Sequence, residues 1–210
     1  MQKRTLLTAL IVIVSISFVL GSALEVEAQE TQGLDAYLGL SFNTYNLSEF
    51  EEINYEDHGV DEDVSSGLSF YAGAEYDLEE EGIEDLKAGA ELEYMSVGYS
   101  DLDLSLSNLG ILATASYRLS GIDEDLPDEL YLTGAAGVYR SNLVDEEVDK
   151  GVKDETFMGP GFKLGIKGST PVYENISLGG RAHYRYARPH SEGDIDFSGL
   201  EIGAYLDASF

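Results

Sequence analysis

Short runs of alternating apolar and polar residues recur along most of the chain, and this period-two pattern predicts β-strands with one apolar face. In the first run that face carries Leu34, Ala36, Leu38, Leu40 and Phe42. Further runs follow over 68–78, 86–94, 108–119, 130–138, 161–167, 176–186 and 199–210. The pattern therefore predicts eight strands. The register of the fifth is the least defined, because its alternation is interrupted.

The links between these runs alternate in length. Links over 46–65, 98–105, 141–157 and 188–196 alternate with links over 79–82, 120–129 and 170–175. In an up-and-down antiparallel arrangement, every second link lies at the same end of the sheet. Longer loops at one end and shorter turns at the other are typical of an all-β barrel that spans the outer membrane.

The amino terminus has the anatomy of a secretory signal peptide. Lys3 and Arg4 precede an apolar run over 6–20, and small-x-small cleavage patterns end at Ala23 and Ala28. An apolar run of about 15 residues is short of the roughly 20 that a membrane-spanning helix needs. We therefore predict a cleaved signal peptide over 1–28 and a barrel domain over 29–210. Cleavage after Ala28 is preferred to cleavage after Ala23.

Composition and charge exclude several classes of protein. The 210 residues include 40 acidic and 12 basic residues, for a formal net charge of -28, and no cysteine. Without cysteine there is no disulfide framework, thiolate zinc site or thiol nucleophile. So negative a chain argues against nucleic-acid binding, which needs clusters of Lys and Arg.

The contents of the polar face decide between two kinds of barrel. A soluble, lipocalin-like barrel would hold its apolar face inside, whereas a membrane barrel turns that face outward. The polar face is rich in glycine, which suits a narrow interior. It also carries six of the scarce cations, and enclosed charges need partners. We predict a lumenal charge network of Asp35, Glu75, Asp77, Lys87, Glu91, Glu93, Arg118, Lys163, Lys167, Arg181, His183, Arg185, Glu201 and Asp207.

Aromatic residues on the apolar face sort by height along the strands. If the mature chain starts in the periplasm, one group lies toward the outer rim: Phe42, Phe70, Tyr94, Phe162, Tyr184 and Tyr186. The other group lies toward the inner rim: Tyr76, Tyr117 and Phe210. Two such girdles are typical of the two interfaces of a membrane, so we predict contact with outer-membrane lipid.

The last run, LEIGAYLDASF over 200–210, ends on the aromatic Phe210. Together with the number of predicted strands and the alternating lengths of the links, this last run makes the chain resemble the small eight-stranded outer-membrane barrel family, of the OmpX type or the barrel half of OmpA. The resemblance covers 34–210. It implies an eight-stranded antiparallel up-and-down transmembrane β-barrel in the outer membrane, whose last strand is read by the barrel-insertion machinery.

Candidate chemistry is sparse. The histidines are His58, His183 and His190, and His190 with Ser191 and Glu192 is the nearest approach to a hydrolase arrangement. Neighbours in one loop do not make a catalytic triad, so we expect no enzyme and no cofactor. The links over 49–63 and 145–155 are strongly acidic. They are candidates for surface ligands and for weak binding of divalent cations, although they lack a calcium-binding loop pattern.

These observations predict a non-enzymatic outer-membrane barrel with a lumen plugged by side chains and acidic external loops that serve a structural or surface-contact role. Three alternatives stay open. They are a small-conductance, porin-like channel, an outer-membrane lipid-modifying enzyme, and a secreted soluble barrel that binds an apolar ligand.

Overall fold

The computed structural model describes residues 33–44, 66–79, 82–99, 104–119, 129–145, 153–188 and 197–210. They form eight strands: β1 (Leu34–Thr44), β2 (Ser66–Asp77), β3 (Leu86–Tyr99), β4 (Leu104–Arg118), β5 (Glu129–Asp145), β6 (Lys153–Tyr173), β7 (Ile176–Ala187) and β8 (Gly199–Ser209). The predicted signal peptide and most of the predicted links lie outside the described residues. Within those residues, no helix is long and apolar enough to cross a membrane.

The strands follow one another in a closed, antiparallel barrel in which β1 pairs with both β2 and β8. The seam is extended by the chain ends. The Phe210 N–H donates to the Leu34 carbonyl at 2.9 Å, and the Gly33 N–H donates to the Phe210 carbonyl at 3.1 Å. The predicted eight-stranded up-and-down barrel is confirmed. We call the end that carries the links after β1, β3, β5 and β7 the loop end, and the opposite end the terminal end.

The apolar face of the strands points outward. Leu38, Leu92 and Ile111 are 38%, 53% and 55% exposed, whereas Lys87 and Arg181 are only 8% and 5% exposed. Successive side chains of a strand point to opposite faces of the sheet, so once one residue of a strand points outward, every second residue does the same. The apolar residues of all eight strands therefore form one continuous outer surface. The orientation is opposite to that of a soluble barrel with an apolar centre.

Several strands are longer than the alternation predicts. β6 covers Lys153–Tyr173, against a predicted run over 161–167, and β5 continues to Asp145. At the loop end these extensions mix polar and apolar residues without a regular alternation, as in the pairs Asn142–Thr156 and Ser141–Phe157, so a pattern search finds no continuous apolar face there. At the terminal end β6 passes Pro171 through a register shift, since proline is tolerated in sheets at bulges.

Candidate functional site: the charged lumen

The barrel interior holds charged side chains where a soluble protein would have an apolar core. At its centre the Glu91 carboxylate accepts hydrogen bonds from Lys163 Nζ at 2.7 Å, Arg181 Nη1 at 2.6 Å and Tyr37 Oη at 3.2 Å. These groups come from four different strands, β1, β3, β6 and β7. Glu91 therefore links distant parts of the barrel wall across the lumen.

A second group of ion pairs lies toward the loop end. Arg185 Nη1 lies 3.0 Å from Glu93 Oε1 and 3.5 Å from Glu201 Oε2, and it donates to Asn43 Oδ1 at 2.8 Å. Lys163 Nζ lies 2.8 Å from Glu93 and 3.3 Å from Glu201, and so joins this group to the central one. Arg181 also forms an ion pair with Glu201.

These central groups balance in charge. The carboxylates of Glu91, Glu93 and Glu201 face the cations of Lys163, Arg181 and Arg185, and all six side chains are 5% exposed or less. Burying an unpaired charge costs several kcal/mol, whereas a matched and hydrogen-bonded set offsets most of that cost. The loss of any one partner would therefore leave an uncompensated charge in the lumen.

A third group lies toward the terminal end. Glu75 accepts from Lys167 Nζ at 2.5 Å and from Ser116 Oγ at 2.9 Å, and Lys87 forms an ion pair with Asp35. At the mouth, Arg118 Nη2 donates to Tyr131 Oη at 3.1 Å and lies 3.8 Å from a Glu129 oxygen. Together the three groups fill most of the length of the lumen.

Two residues of the proposed network are placed apart from its ion pairs. Asp77 lies at the end of β2, where its Oδ1 accepts the Glu79 N–H at 3.0 Å and stabilises the turn instead. Asp207 is partly buried in the lumen, and its Oδ1 has no hydrogen-bond partner among the described residues. Glu129, which sequence reasoning did not include, occupies a place in the group at the mouth.

His183 takes part in a relay that resembles catalytic machinery. Its Nε2 lies 2.6 Å from Thr133 Oγ1, and its Nδ1 lies 3.8 Å from Glu201 Oε1. A base between a hydroxyl and a carboxylate is the arrangement that activates a nucleophile. However, the adjacent cavity is only about 30 Å³, which is room for a water molecule or two but not for an organic substrate. His190 and Ser191 lie outside the described residues.

Lumenal tyrosines were not anticipated as a set. Tyr37, Tyr71, Tyr131, Tyr139 and Tyr205 are all buried. Most of their rings lie over glycines of other strands, so that a side chain at Gly39, Gly73, Gly110, Gly161 or Gly179 would overlap a ring. The sequence signal was present, because these tyrosines share the polar face with the glycines. Glycine on that face makes room for aromatic rings that fill the lumen.

Phe197 is buried at the loop end of the barrel. Its side chain is fully buried, its N–H donates to the Ala187 carbonyl at 2.9 Å, and its own carbonyl accepts from Arg185 Nε at 3.0 Å. It lies just before β8, at the edge of a segment that sequence reasoning treated as a link. These two hydrogen bonds join Phe197, just before β8, to the end of β7.

The aromatic residues proposed for the membrane interfaces lie on the outward face. At the loop end Phe162 and Tyr186 stack with ring centroids 5.0 Å apart, and Phe70 pairs with Tyr94 across β2 and β3. The other proposed members are placed at the two ends as follows: Phe42 and Tyr184 at the loop end, and Tyr76, Tyr117 and Phe210 at the terminal end. Tyr173, 68% exposed at the terminal end, was missed because the sequence reading assigned it to a turn.

Comparison with solved structures finds the same fold. Neisserial surface protein A matches with a TM-score of 0.54 and 17% identity, covering 85% of this chain and 98% of that chain. Ail, the attachment invasion locus protein of Yersinia pestis, matches with a TM-score of 0.56 and 14% identity, covering 84% and 99%. A scan against protein-family models and a search of curated proteins find no match. The resemblance to small outer-membrane barrels is confirmed at the level of the fold.

Proposed function

We propose that this chain is a non-enzymatic integral protein of the outer membrane, whose plugged barrel carries acidic loops that contact molecules or surfaces outside the cell. The observation that carries the proposal is the orientation of the barrel wall. Large apolar side chains on all eight strands are exposed, while the charged side chains of the network face each other inside. An apolar exterior this extensive requires hydrocarbon around it.

The plugged lumen supports a structural role over transport. The cavity at the centre is about 30 Å³, and Lys163, Arg181 and Tyr71 are among the side chains that line it. A larger recess of about 160 Å³ lies at the terminal end and is lined by Arg118, Lys87 and Glu84. Arg185, Glu93 and Phe197 are fully buried toward the loop end, which supports a lumen that is closed to solutes.

The external role is inferred from the loops and from the matched proteins. One of these is named a surface protein and another an attachment invasion locus protein, and a further structure of the latter holds a heparin analogue, sucrose octasulfate. The links over 49–63 and 145–155 in this chain are strongly acidic, so they would repel a polyanion. We therefore propose cationic or divalent-cation-bridged surfaces as partners of the loops, and assembly by the barrel-insertion machinery through the strand ending at Phe210.

The test is the fractionation of the full chain expressed in a Gram-negative host. We expect the protein in the outer-membrane fraction, extracted only by detergent, and migrating faster on a gel when unheated than when boiled. A protein that stays in buffer without detergent would overturn the proposal. Planar-bilayer recordings complete the test, because a steady conductance would contradict the plugged barrel and support the porin-like alternative.

A further inference from the structure

One row of lumenal residues crosses five strands of the barrel. Each member pairs in register with the next, in the order Thr133 on β5, Gly165 on β6, His183 on β7, Glu201 on β8 and Asn43 on β1. The His183 ring lies over β6, because a Cβ atom added at Gly165 would overlap it. From that place its Nε2 lies 2.6 Å from Thr133 Oγ1, and its Nδ1 lies 3.8 Å from Glu201 Oε1. His183 therefore stands between a hydroxyl and a carboxylate of two other strands.

His183 carries the only imidazole in the described part of the lumen. It is 8% exposed, and its Nδ1 makes no hydrogen bond to any described residue. An imidazole ordinarily changes charge between about pH 5 and 8, and only its protonated form carries an N–H on both nitrogens. Protonation would therefore let the ring donate to Thr133 and to Glu201 at the same time. The cavity of about 30 Å³ beside the ring leaves room for the small movement that this needs.

The charges around His183 are balanced while its ring is neutral. The charged and titratable side chains that surround it are Tyr37 on β1, Tyr71 and Glu75 on β2, Glu91 and Glu93 on β3, Lys163 and Lys167 on β6, Arg181 and Arg185 on β7, and Glu201 and Tyr205 on β8. Four of them are carboxylates and four are cations, so a proton on His183 adds a fifth cation to a balanced set. Enclosed charges are stable only when they are matched, so the added cation changes how the carboxylates are shared.

Glu201 is the carboxylate that the added cation would meet first. It is the direct cross-strand neighbour of His183 and forms ion pairs with three cations. One of these is Arg181, and Lys163 Nζ and Arg185 Nη1 lie at 3.3 Å and 3.5 Å from Glu201 Oε2. The contact with Arg185 is the longest of the three. A hydrogen bond from the imidazolium would therefore compete most easily with Arg185.

Arg185 connects this competition to the loop end of the barrel. Its Nε donates to the Phe197 carbonyl at 3.0 Å, and the Phe197 N–H donates to the Ala187 carbonyl at 2.9 Å. Phe197 is fully buried and lies just before β8. Direct contacts thus run from His183 through Glu201 and Arg185 to Phe197.

We propose that His183 senses acid: its protonation draws Glu201 away from Arg185 and thereby loosens Phe197 at the loop end. The proton is taken from water and stays on the ring, and hydrogen bonds are the only bonds that change. With the ring neutral, Arg185 is held by Glu201 and holds the Phe197 carbonyl. With the ring charged, Arg185 loses its longest ion pair, so its guanidinium is less firmly placed against Phe197. This response goes beyond the anchoring of loops and requires no partner for them.

The test uses the full mature chain, folded in detergent micelles and studied by NMR between pH 8 and pH 5. The ring signals of His183 report its protonation, and the protection factor of the Phe197 amide reports the contact at the loop end. The protection factor corrects the exchange rate for its intrinsic dependence on pH. We expect it to fall about fivefold as the ring gains its proton, the size that one hydrogen bond allows. Amides over 111–115, in the middle of β4, should keep their protection.

Variants assign the response to this residue. His183→Gln keeps a hydrogen-bonding side chain beside Thr133 but cannot be protonated, so Phe197 should stay equally protected at both pH values. The matched control is the double variant His58→Gln with His190→Gln, which removes the other two imidazoles and should keep the full response. Asp207→Asn should also keep it, since this carboxyl group lies apart from the ion pairs of Glu201. Heat-modifiable migration shows that each variant is folded.

Every other outcome contradicts the inference. A His183 ring that stays neutral down to pH 5 would show that it senses nothing in this range. A ring that gains its proton while Phe197 stays protected would break the connection to the loop end. An undiminished response in His183→Gln, or a response lost in the double variant, would assign it to another group. None of these results bears on the proposed location, which membrane fractionation tests separately.

Discussion

Arg185 shows how single residues depend on one another inside the barrel. It is fully buried and bonds to Glu93, Asn43 and the Phe197 carbonyl, with Glu201 at 3.5 Å. Arg185→Gln would remove a cation that forms ion pairs with the Glu93 and Glu201 carboxylates. We expect a loss of about 3–5 kcal/mol in the free energy of unfolding, the usual cost of breaking a buried ion pair from one side. Urea unfolding in lipid vesicles, followed by circular dichroism, measures it.

A double-mutant cycle supplies the control for this prediction. Glu93→Gln combined with Arg185→Gln restores the balance of charge, so the double variant should lose less than the sum of the two single losses. Additive losses would show that Arg185 and Glu93 act independently of each other, in spite of their 3.0 Å contact.

Gly110 tests the fit of tyrosine rings against glycine. A Cβ atom added there would lie 2.5 Å from Tyr139 Cε1, and the ring cannot retreat because Gly161 contacts its other edge. Gly110→Ala should therefore destabilise the barrel by about 1–3 kcal/mol, as overpacking does. Gly134→Ala is the matched control, since its nearest neighbour would be the Lys163 carbonyl at 3.8 Å. Equal urea midpoints for the two variants would contradict the prediction.

The limit of sequence reasoning at this scale is visible in the same residues. The alternation assigns Tyr71 and Gly39 to the polar face, but it does not show which residues of neighbouring strands lie at the same height in the barrel. The overlap of the Tyr71 ring with Gly39 depends on the register of β1 and β2, in which Gly39 pairs with Tyr71. Ion-pair partners have the same dependence, because Glu91 and Arg181 lie on strands far apart in sequence.

At the scale of the strands, prediction succeeded where one face meets an apolar environment and failed beyond it. The alternation over 86–94 and 130–138 marks the parts of β3 and β5 with outward apolar residues. The structure continues these strands to Tyr99 and Asp145, where both pair in register with β4. In MSVGY over 95–99 and SNLVD over 141–145 the apolar residues do not keep the parity of the preceding outward face, so the alternation ends there and those parts were left out of the predicted strands.

Hydrogen exchange distinguishes a paired extension from a loop. Residues 141–142 and 156–157 pair in register between β5 and β6, so the amides there that hydrogen-bond to the neighbouring strand should exchange slowly in the folded barrel. Amides over 161–167 provide the internal standard for a paired strand. Exchange over 141–142 as fast as in an unstructured peptide would contradict the continuation of β5 and support the shorter strand that the alternation predicted.

At the scale of the whole molecule, the barrel carries its apolar side chains on the outer wall, the reverse of a soluble barrel. The free-energy cost of a new charge on that wall therefore depends on the depth of its position in the bilayer. Leu38 lies midway along β1, between Leu34 and Phe42, and is 38% exposed on the outer wall. Leu68, at the loop end of β2, pairs with Phe42. In a bilayer the first position faces the hydrocarbon centre and the second faces the interface.

Leu38→Arg should therefore cost about 2–4 kcal/mol of unfolding free energy in vesicles, whereas Leu68→Arg should cost about 0–1 kcal/mol. The two substitutions are chemically identical, so the difference between them isolates the depth of the site in the membrane. If this barrel, with its apolar face outward, stood in water and not in a bilayer, both residues would face water, and the two variants would unfold at nearly the same urea concentration. That equality would refute the placement of the barrel in a bilayer, because water has no gradient of polarity along β1 and β2.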